Sequence, residues 1–193
     1  MYPYNFKFGQ KIQSDAVGIN PDRGFIARVT YTEPAAKSIT GILAATELEE
    51  EEQTITEGIT DPDVPRNVRI KGSADVTGDV VINGTNINDD AISETLALNG
   101  TTEVEGNLAF KTITSIELPV QATENTDTVQ VGTANKLGLP YNLSLNTVLK
   151  AYRNSGLEAS APTVTVDADD LEKNTIELSS ALNGTNVDVI IIV

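Results

Sequence analysis

The fold of this chain is decided by residues 61–119, DPDVPRNVRIKGSADVTGDVVINGTNINDDAISETLALNGTTEVEGNLAFKTITSIELP, and by residues 127–140, DTVQVGTANKLGLP. Short runs rich in Val, Ile and Thr alternate there with clusters of Gly, Asn and Asp. In Ala91–Leu98 every second residue, including Ile92 and Leu96, falls on one side, which is the periodicity of a half-buried strand. The stretch therefore predicts many short strands joined by turns.

The rest of the chain extends this pattern in both directions. Further strands are predicted at Phe25–Tyr31, Ser38–Leu48, Thr54–Thr60, Gly78–Ile82, Phe110–Leu118, Asp127–Val131 and Thr163–Val166. Tyr141–Tyr152 fits either a strand or a short helix. The C-terminal VDVIIIV of residues 187–193 would be an aggregation hazard if exposed, so it should be central in a sheet or covered by another subunit.

These elements predict an all-β protein, an antiparallel β-sandwich of Greek-key or immunoglobulin-like type with an extended N-terminal arm. A small β-barrel is the alternative. We divide the chain into an arm at residues 1–37 and a β-sandwich domain at residues 38–193. The segment Asp61-Pro62-Asp63-Val64-Pro65 is a rigid turn, because its prolines restrict the backbone, and it marks a candidate sub-boundary at residues 61–65.

The tripeptide Asn-Gly-Thr occurs three times, at 83–85, 99–101 and 183–185. Asn-Gly between alternating apolar residues is a strong hairpin signal, since both residues tolerate positive φ. A two-residue turn at Asn183-Gly184 would place Ile176 opposite Ile191. At Asn83-Gly84, Val80 would meet Ile87. At Asn99-Gly100 the simple register is poor, which predicts a bulge or a longer turn there.

Charge and aromatic residues are distributed unevenly along the chain. The net charge is −15, yet residues 1–37 hold five of the 13 basic residues and only three of the 28 acidic ones. The arm is therefore +2 and the remainder is −17. Six of the nine aromatic residues lie in the first 31 positions. Aromatic side chains anchor protein interfaces or fill a local core, and both alternatives apply to this arm.

Composition excludes several classes of function. The chain has no Cys and no His, which removes disulfides, thiolate or imidazole metal sites and His-based catalysis. A strongly acidic chain is a poor partner for nucleic acid, and no run reaches the roughly 20 apolar residues of a membrane span. The N-terminus also lacks the pattern of a signal peptide. The protein is thus expected to need neither nucleic acid nor membrane as a partner.

No motif in the chain predicts catalysis. There is no phosphate-binding loop, dinucleotide fingerprint or nucleophile elbow. The Asn- and Asp-rich loop Asn83–Asp90 lacks the spacing of an EF-hand, and we interpret it, like Asp167–Asp170, as a turn. The protein is expected not to be an enzyme, with no catalytic residue, no cofactor and no metal.

Several segments resemble a family of small structural proteins of tailed bacteriophages and prophages, found near the major capsid protein gene. The resemblance lies in residues 64–86, 92–119 and 127–140 and in the C-terminal NTIELSSALNGTNVDVIIIV, and covers roughly residues 41–193. Its most specific parts are LALNGTTEVEGNLAFKTIT and KLGLP. The arm lies outside it.

The resemblance implies a virion protein, specifically a decoration or cement protein on the capsid exterior that binds the phage major capsid protein. Homo-oligomers, such as trimers at symmetry axes, are expected. The arm would then grip the shell through its aromatic and basic side chains, which are Tyr2, Tyr4, Phe6, Phe8, Arg23, Phe25, Arg28 and Tyr31. The alternatives are a head fibre or adhesin that binds host surface glycans, and a tail-tube or neck component.

Overall fold

The computed structural model describes residues 25–74, 76–122 and 126–193. They form fourteen β-strands and one short 3-10 helix, Leu171–Lys173, and the described residues contain no α-helix. The strands are β1 Ile26–Tyr31, β2 Ser38–Glu47, β3 Gln53–Ile55, β4 Arg66–Gly72, β5 Thr77–Thr85, β6 Ala91–Asn99, β7 Val104–Phe110, β8 Thr112–Leu118, β9 Thr128–Gly138, β10 Val148–Arg153, β11 Gly156–Leu157, β12 Thr163–Thr165, β13 Thr175–Glu177 and β14 Val187–Ile192.

The strands form three antiparallel sheets. Sheet A has the order β1-β14-β10-β11, and sheet C has the order β3-β8-β5-β6. Sheet B has the order β12-β13-β9-β4-β7, with β2 beside β9. The prediction of an all-β antiparallel sandwich is confirmed. Asn146 is followed by strand β10, so the ambiguous segment contains a strand rather than a helix.

Two hydrophobic cores hold the layers together, and sheet B contributes to both. The first core packs sheet B against sheet C, and the second packs sheet B against sheet A. Strand β9 joins them, because Val129 and Val131 lie in the first core while Leu137 lies in the second. The packing therefore connects all three sheets through one long central strand.

Strand β4 carries buried polar side chains that cross-link neighbouring strands. The Arg66 side chain is fully buried and donates to the carbonyl oxygens of Ala134 and Ala35 and to the carboxylate of Asp63. Burial lowers the pKa of Arg66. A buried guanidinium is tolerated because its donors are paired. The turn that contains Asp63 is thus tied to sheet B, and the strands on both sides of it contribute to the first core.

Two of the Asn-Gly hairpin predictions are wrong. Asn83 and Gly84 lie inside β5, where Val80 pairs with Leu96, and the chain reverses only at residues 86–90. Ile176 pairs with Leu137 in sheet B, whereas Ile191 lies in sheet A. Asn183-Gly184 is therefore a crossing loop between sheets and not a hairpin turn.

The third Asn-Gly pair forms a tight turn, in which the Thr102 amide donates to the Asn99 carbonyl oxygen at 2.9 Å. Gly100 has φ of 52°, which favours glycine. The strands on either side belong to different sheets and share one isolated bridge, Asn99 to Thr102. The simple hairpin register at Asn99-Gly100 is poor because the chain changes from sheet C to sheet B at this turn.

The segment predicted as one strand at Phe110–Leu118 is two strands, broken at Lys111. Phe110 ends β7 in sheet B, and β8 begins at once in sheet C. Its register on β5 shifts, so that Asn83 pairs with Ser115 while Gly84 pairs with Ile113. Ile113 is buried in consequence, although simple alternation from Phe110 would point it outward.

The two ends of the described chain meet in sheet A. Strand β14, from the C-terminal VDVIIIV, lies between β1 and β10, which confirms its predicted central position. Phe25 and Val193 exchange backbone hydrogen bonds at 2.7 and 2.9 Å. The last part of the predicted arm is thus a strand of the body, and residues 1–24 lie outside the described residues.

Candidate functional site: the surface of sheet A

Exposed hydrophobic side chains concentrate at sheet A. Six large hydrophobic residues are exposed among the described residues, and five of them lie in this sheet or in the segments that enter it: Phe25, Ile26, Leu145, Leu149 and Leu157. The sixth, Val120, follows β8 of sheet C. Clustered exposed apolar side chains mark interaction surfaces more often than scattered ones. Sheet A is therefore the candidate site.

The outer face of sheet A follows from its register. Val189 and Ile191 of β14 are buried in the second core. Because side chains alternate along a strand, the neighbouring residues of β14 point away from that core. Ile190 and Ile192 are partly buried on that outer face, where Ile192 pairs with Ile26. Ile26 is 68% exposed. The described residues leave this face without a covering layer.

An ion pair fixes the polar part of the same face. The Arg28 guanidinium donates to both oxygens of Asp188, at 2.9 and 2.7 Å, and the Thr30 hydroxyl donates to Asp188 Oδ1 at 2.6 Å. The hydrogen bonds from Arg28 and Thr30 hold the pKa of Asp188 below its ordinary value. Beside the pair, Tyr152 contributes to a shallow depression of about 330 Å³.

A groove of about 260 Å³ with a mixed apolar and polar lining runs beside β10 at the edge of sheet A. Its apolar lining residues include Val148, Leu149, Leu157 and Val164, and its polar lining residues are Asn146, Lys150, Glu158 and Ser160. One wall is held in place by Glu158, whose carboxylate accepts hydrogen bonds from the Ser179 and Ser180 hydroxyls at 2.8–2.9 Å. Burial raises the pKa of Glu158, but the hydrogen bonds from Ser179 and Ser180 together with the charge of Arg153 outweigh it and hold the pKa below its ordinary value. The Glu158 side chain therefore ties one wall of the groove to residues Ser179 and Ser180.

The predicted binding residues divide into three groups. Phe25 is 66% exposed, and Arg28 lies on the outer face of sheet A. Tyr31 is a core residue and not a contact residue, because it is 4% exposed and its hydroxyl donates to the Gly138 carbonyl oxygen at 2.7 Å. Burial raises the pKa of Tyr31. The others, Tyr2, Tyr4, Phe6, Phe8 and Arg23, lie outside the described residues.

Sequence reasoning missed Ile26, Leu149 and Leu157. One signal was available for the outer face: VDVIIIV has isoleucine at three successive positions, so a strand built from it presents apolar side chains on both faces. Leu149 could not be anticipated in this way, because it sits at an irregularity between Val148 and Lys150 in the pairing with β14.

The Asn- and Asp-rich segments are turns stabilised by their own side chains. Asn86 Oδ1 accepts hydrogen bonds from the Asn88 and Asp90 amides at 2.9 and 3.1 Å. Asp167 Oδ1 accepts from the Asp169 and Asp170 amides, both at 2.9 Å. Within the described ranges, no group of three or more acidic residues could hold a metal ion, and no helix is long and apolar enough to cross a membrane.

Compared with known proteins, the chain matches no protein-family model, no curated protein and no solved structure.

Proposed function

We propose that this chain is a virion structural protein that decorates the capsid exterior of a tailed bacteriophage, binds the major capsid protein and stabilises the shell. The observation that carries the proposal is the concentration of exposed hydrophobic side chains at sheet A, where the basic, aromatic arm joins an acidic body. The resemblance of residues 41–193 to small structural proteins of tailed bacteriophages, which implies a capsid decoration protein, supports the same role.

Attachment through sheet A has a simple physical basis. Burying apolar side chains such as Ile26 and Ile192 against the shell removes apolar area from water, at about 25 cal/mol per Å². The arm adds aromatic anchors and positive charge, while the acidic remainder favours solvation. Many copies, as homo-oligomers on a symmetric shell, add multivalency. Such a role needs no cofactor.

A co-sedimentation experiment with purified empty shells tests the proposal. Ile26→Glu places a charge on the outer face of sheet A, and we expect binding to the shell to weaken about tenfold or more, which corresponds to about 1.4 kcal/mol. Val120→Glu is the matched control, because Val120 is 47% exposed on another part of the molecule. It should bind like the parent protein.

The outcome separates the alternative functions. Equal shell binding by both variants would contradict attachment through sheet A. A parent protein that ignores shells but binds host glycans on an array would instead support the head-fibre or adhesin alternative. Immunogold labelling of virions at the neck or tail would support the tail-tube or neck alternative.

A further inference from the structure

The pentapeptide Ala-Leu-Asn-Gly-Thr occurs twice in the chain, at residues 97–101 and 181–185, and a third Asn-Gly pair lies at Asn83-Gly84. An asparagine followed by glycine is chemically labile, because glycine has no Cβ atom to hinder the approach of its amide nitrogen to the preceding side chain. The two pentapeptides have the same local sequence. Any difference in reactivity between them therefore arises from the fold.

The first pentapeptide is fixed at its Asn-Gly pair. Asn99 is the last residue of β6 and pairs with Thr77 of β5. The Gly100 amide donates to the Val76 carbonyl oxygen at 3.0 Å, and the Gly100 carbonyl oxygen accepts from the Gly72 amide at 3.0 Å. Both backbone groups of the glycine are thus bonded. Its nitrogen cannot turn towards the Asn99 side chain unless these bonds and the strand pairing break together.

The pair Asn83-Gly84 is also fixed. Both residues lie inside β5, between β6 and β8. The Asn83 side-chain amide donates to Ser115 Oγ at 3.2 Å and to Glu117 Oε1 at 3.0 Å. The side chain and the backbone are therefore both held by neighbouring strands.

The second pentapeptide is anchored at its two ends. Arg153 Nη1 donates to the Ala181 carbonyl oxygen at 2.7 Å, and Leu182 is buried in the second core. Just after the pentapeptide, the Asn186 carbonyl oxygen accepts from the Asn154 amide at 2.8 Å. These contacts fix the chain on both sides of the loop centre.

The centre of this loop is held much more weakly. Asn183 and Gly184 are exposed and belong to no strand. Among the described residues, one backbone hydrogen bond holds their shared peptide group, from the Gly184 amide to the Pro34 carbonyl oxygen at 2.9 Å. Local opening needs only this bond to break. Asn99 is exposed as well, so the restraint on the following glycine, and not exposure, distinguishes the two copies.

A hydroxyl group is placed against the Asn183 side chain. Thr185 Oγ1 donates to Asn183 Oδ1 at 2.6 Å. A donor at this oxygen stabilises the negative charge that develops there when a nucleophile attacks Cγ. Within the described residues, the corresponding Thr101 hydroxyl makes no hydrogen bond to Asn99.

We propose that Asn183 is a site of spontaneous deamidation, which converts it to aspartate and isoaspartate in the folded protein. The Gly184 nitrogen attacks Asn183 Cγ, so that an N–Cγ bond forms while the Cγ–Nδ2 bond breaks, and the glycine proton leaves with Nδ2 as ammonia. Water then opens the resulting succinimide ring. Addition at Cγ gives isoaspartate cleavage products no access: the ring opens only to aspartate or, at the main-chain carbonyl carbon, to isoaspartate.

The modification adds one negative charge to the loop that joins β13 of sheet B to β14 of sheet A. The anchors on both sides of the loop centre are unchanged, so we expect the modified protein to stay folded. This inference concerns the chemistry of the free chain and does not rest on the proposed function.

Peptide mapping by mass spectrometry tests the proposal. The folded parent protein is incubated at mildly alkaline pH and digested at acidic pH, and the gain of about 1 Da per deamidated residue is measured in each Asn-Gly peptide. We expect Asn183 to deamidate at least about tenfold faster than Asn99 or Asn83. Equal rates at Asn99 and Asn183, or a faster rate at Asn99, would overturn the proposal.

The same measurement on the protein unfolded in guanidinium chloride is the control for local sequence. Without the fold, Asn99 and Asn183 should deamidate at rates that agree within about twofold, because their flanking residues are identical. A preference for Asn183 that persisted in the unfolded protein would show that the fold does not cause it, and would also overturn the proposal.

A pair of substitutions tests the part played by the hydroxyl group. Thr185→Val removes the donor to Asn183 Oδ1, and we expect deamidation of Asn183 in the folded protein to slow by about threefold or more. Thr101→Val is the matched control and should leave the rate at Asn99 unchanged. An unchanged or faster rate at Asn183 in the Thr185→Val protein would contradict the role assigned to the hydroxyl group.

Discussion

At the scale of single residues, the carboxylate of Asp188 holds the polar side chains of the outer face of sheet A in place. Asp188 is 9% exposed and receives three hydrogen bonds, two from Arg28 and one from Thr30. Arg28 is on strand β1 and Asp188 is on strand β14, so the pair links the first strand to the last. The same interaction that shapes the surface therefore also stabilises the sheet.

Asp188→Asn should lower the free energy of unfolding at neutral pH by about 1 kcal/mol, because the charge-assisted part of these hydrogen bonds is lost. The pKa of Asp188 is lowered in the folded protein from an ordinary value of 3.8. Its contribution is therefore complete above that value and is lost as the pH falls through the lower, folded-state pKa. Urea unfolding of the parent protein and the Asp188→Asn variant at several pH values measures the difference in their free energies of unfolding.

The difference in stability between the two proteins should shrink as the pH falls below about 4. A difference that stays constant down to the acid limit would mean that the ionised carboxylate contributes nothing, and that only the shape of the side chain matters.

At the scale of elements, close contacts between strands explain what the sequence could not predict. Gly84 lies inside β5, and a Cβ atom there would stand 2.1 Å from the Thr112 carbonyl oxygen and 3.1 Å from Ile113 Cα. The glycine is required by a neighbouring strand and not by a turn. Local sequence could not distinguish these causes, since Asn-Gly is also the strongest hairpin signal.

Gly84→Ala should therefore destabilise the protein by about 2–3 kcal/mol, because the added methyl group meets backbone atoms that can move only by displacing β8. Gly156→Ala is the matched control, since the nearest atom to its added Cβ lies at 3.4 Å. It should change stability by less than about 0.5 kcal/mol. Thermal or urea unfolding compares them, and equal losses would contradict the tight packing at Gly84.

Strand β1 shows how the predicted arm divides in the folded protein. Its residues pair with β14 from Ile26 to Tyr31, and Tyr31 is buried in the second core. The sequence predicted this strand because it alternates apolar and polar residues. It could not predict the pairing with β14, since that contact joins residues about 160 positions apart.

Two truncations should show which part of the predicted arm contributes to the stability of the folded protein. Deletion of residues 1–24 should leave a protein that still unfolds cooperatively, because β1 is intact. Deletion of residues 1–32 also removes Tyr31 and β1, one of the two strands that pair with β14, and should cost about 3 kcal/mol or more. Limited proteolysis and thermal unfolding compare them. Equal stability of the two truncated proteins would mean that β1 contributes nothing to sheet A.

At the scale of the whole molecule, the fold class was predictable from sequence because it depends on local alternation and turn composition. The division into three sheets with two cores was not, because it depends on which strands meet. Segments such as Phe110–Leu118 change sheet within one residue, at Lys111, with no local signal. The candidate site was partly predictable, through Phe25 and Arg28, while Leu149 and Leu157 emerged only from the sheet edge.

In the described part of the molecule, most of the large exposed apolar side chains lie on a different sheet from an exposed polar turn. Among the described residues, sheet A and the segments that enter it carry five of the six large exposed hydrophobic side chains, and β1 directly follows the rest of the basic arm in the sequence. Sheet C carries the turn at residues 86–90, in which Asn88, Asp89 and Asp90 are exposed. This asymmetry suits a protein that binds a surface with one side and faces water with the other.

A cryo-electron microscopy reconstruction of shells decorated with the purified protein tests this account most directly. The account predicts density on the outer surface of the shell, with Ile26 and Ile192 of sheet A against the major capsid protein and the turn at residues 86–90 directed to solvent. Shells without bound protein, or protein attached through sheet C with sheet A facing solvent, would contradict it.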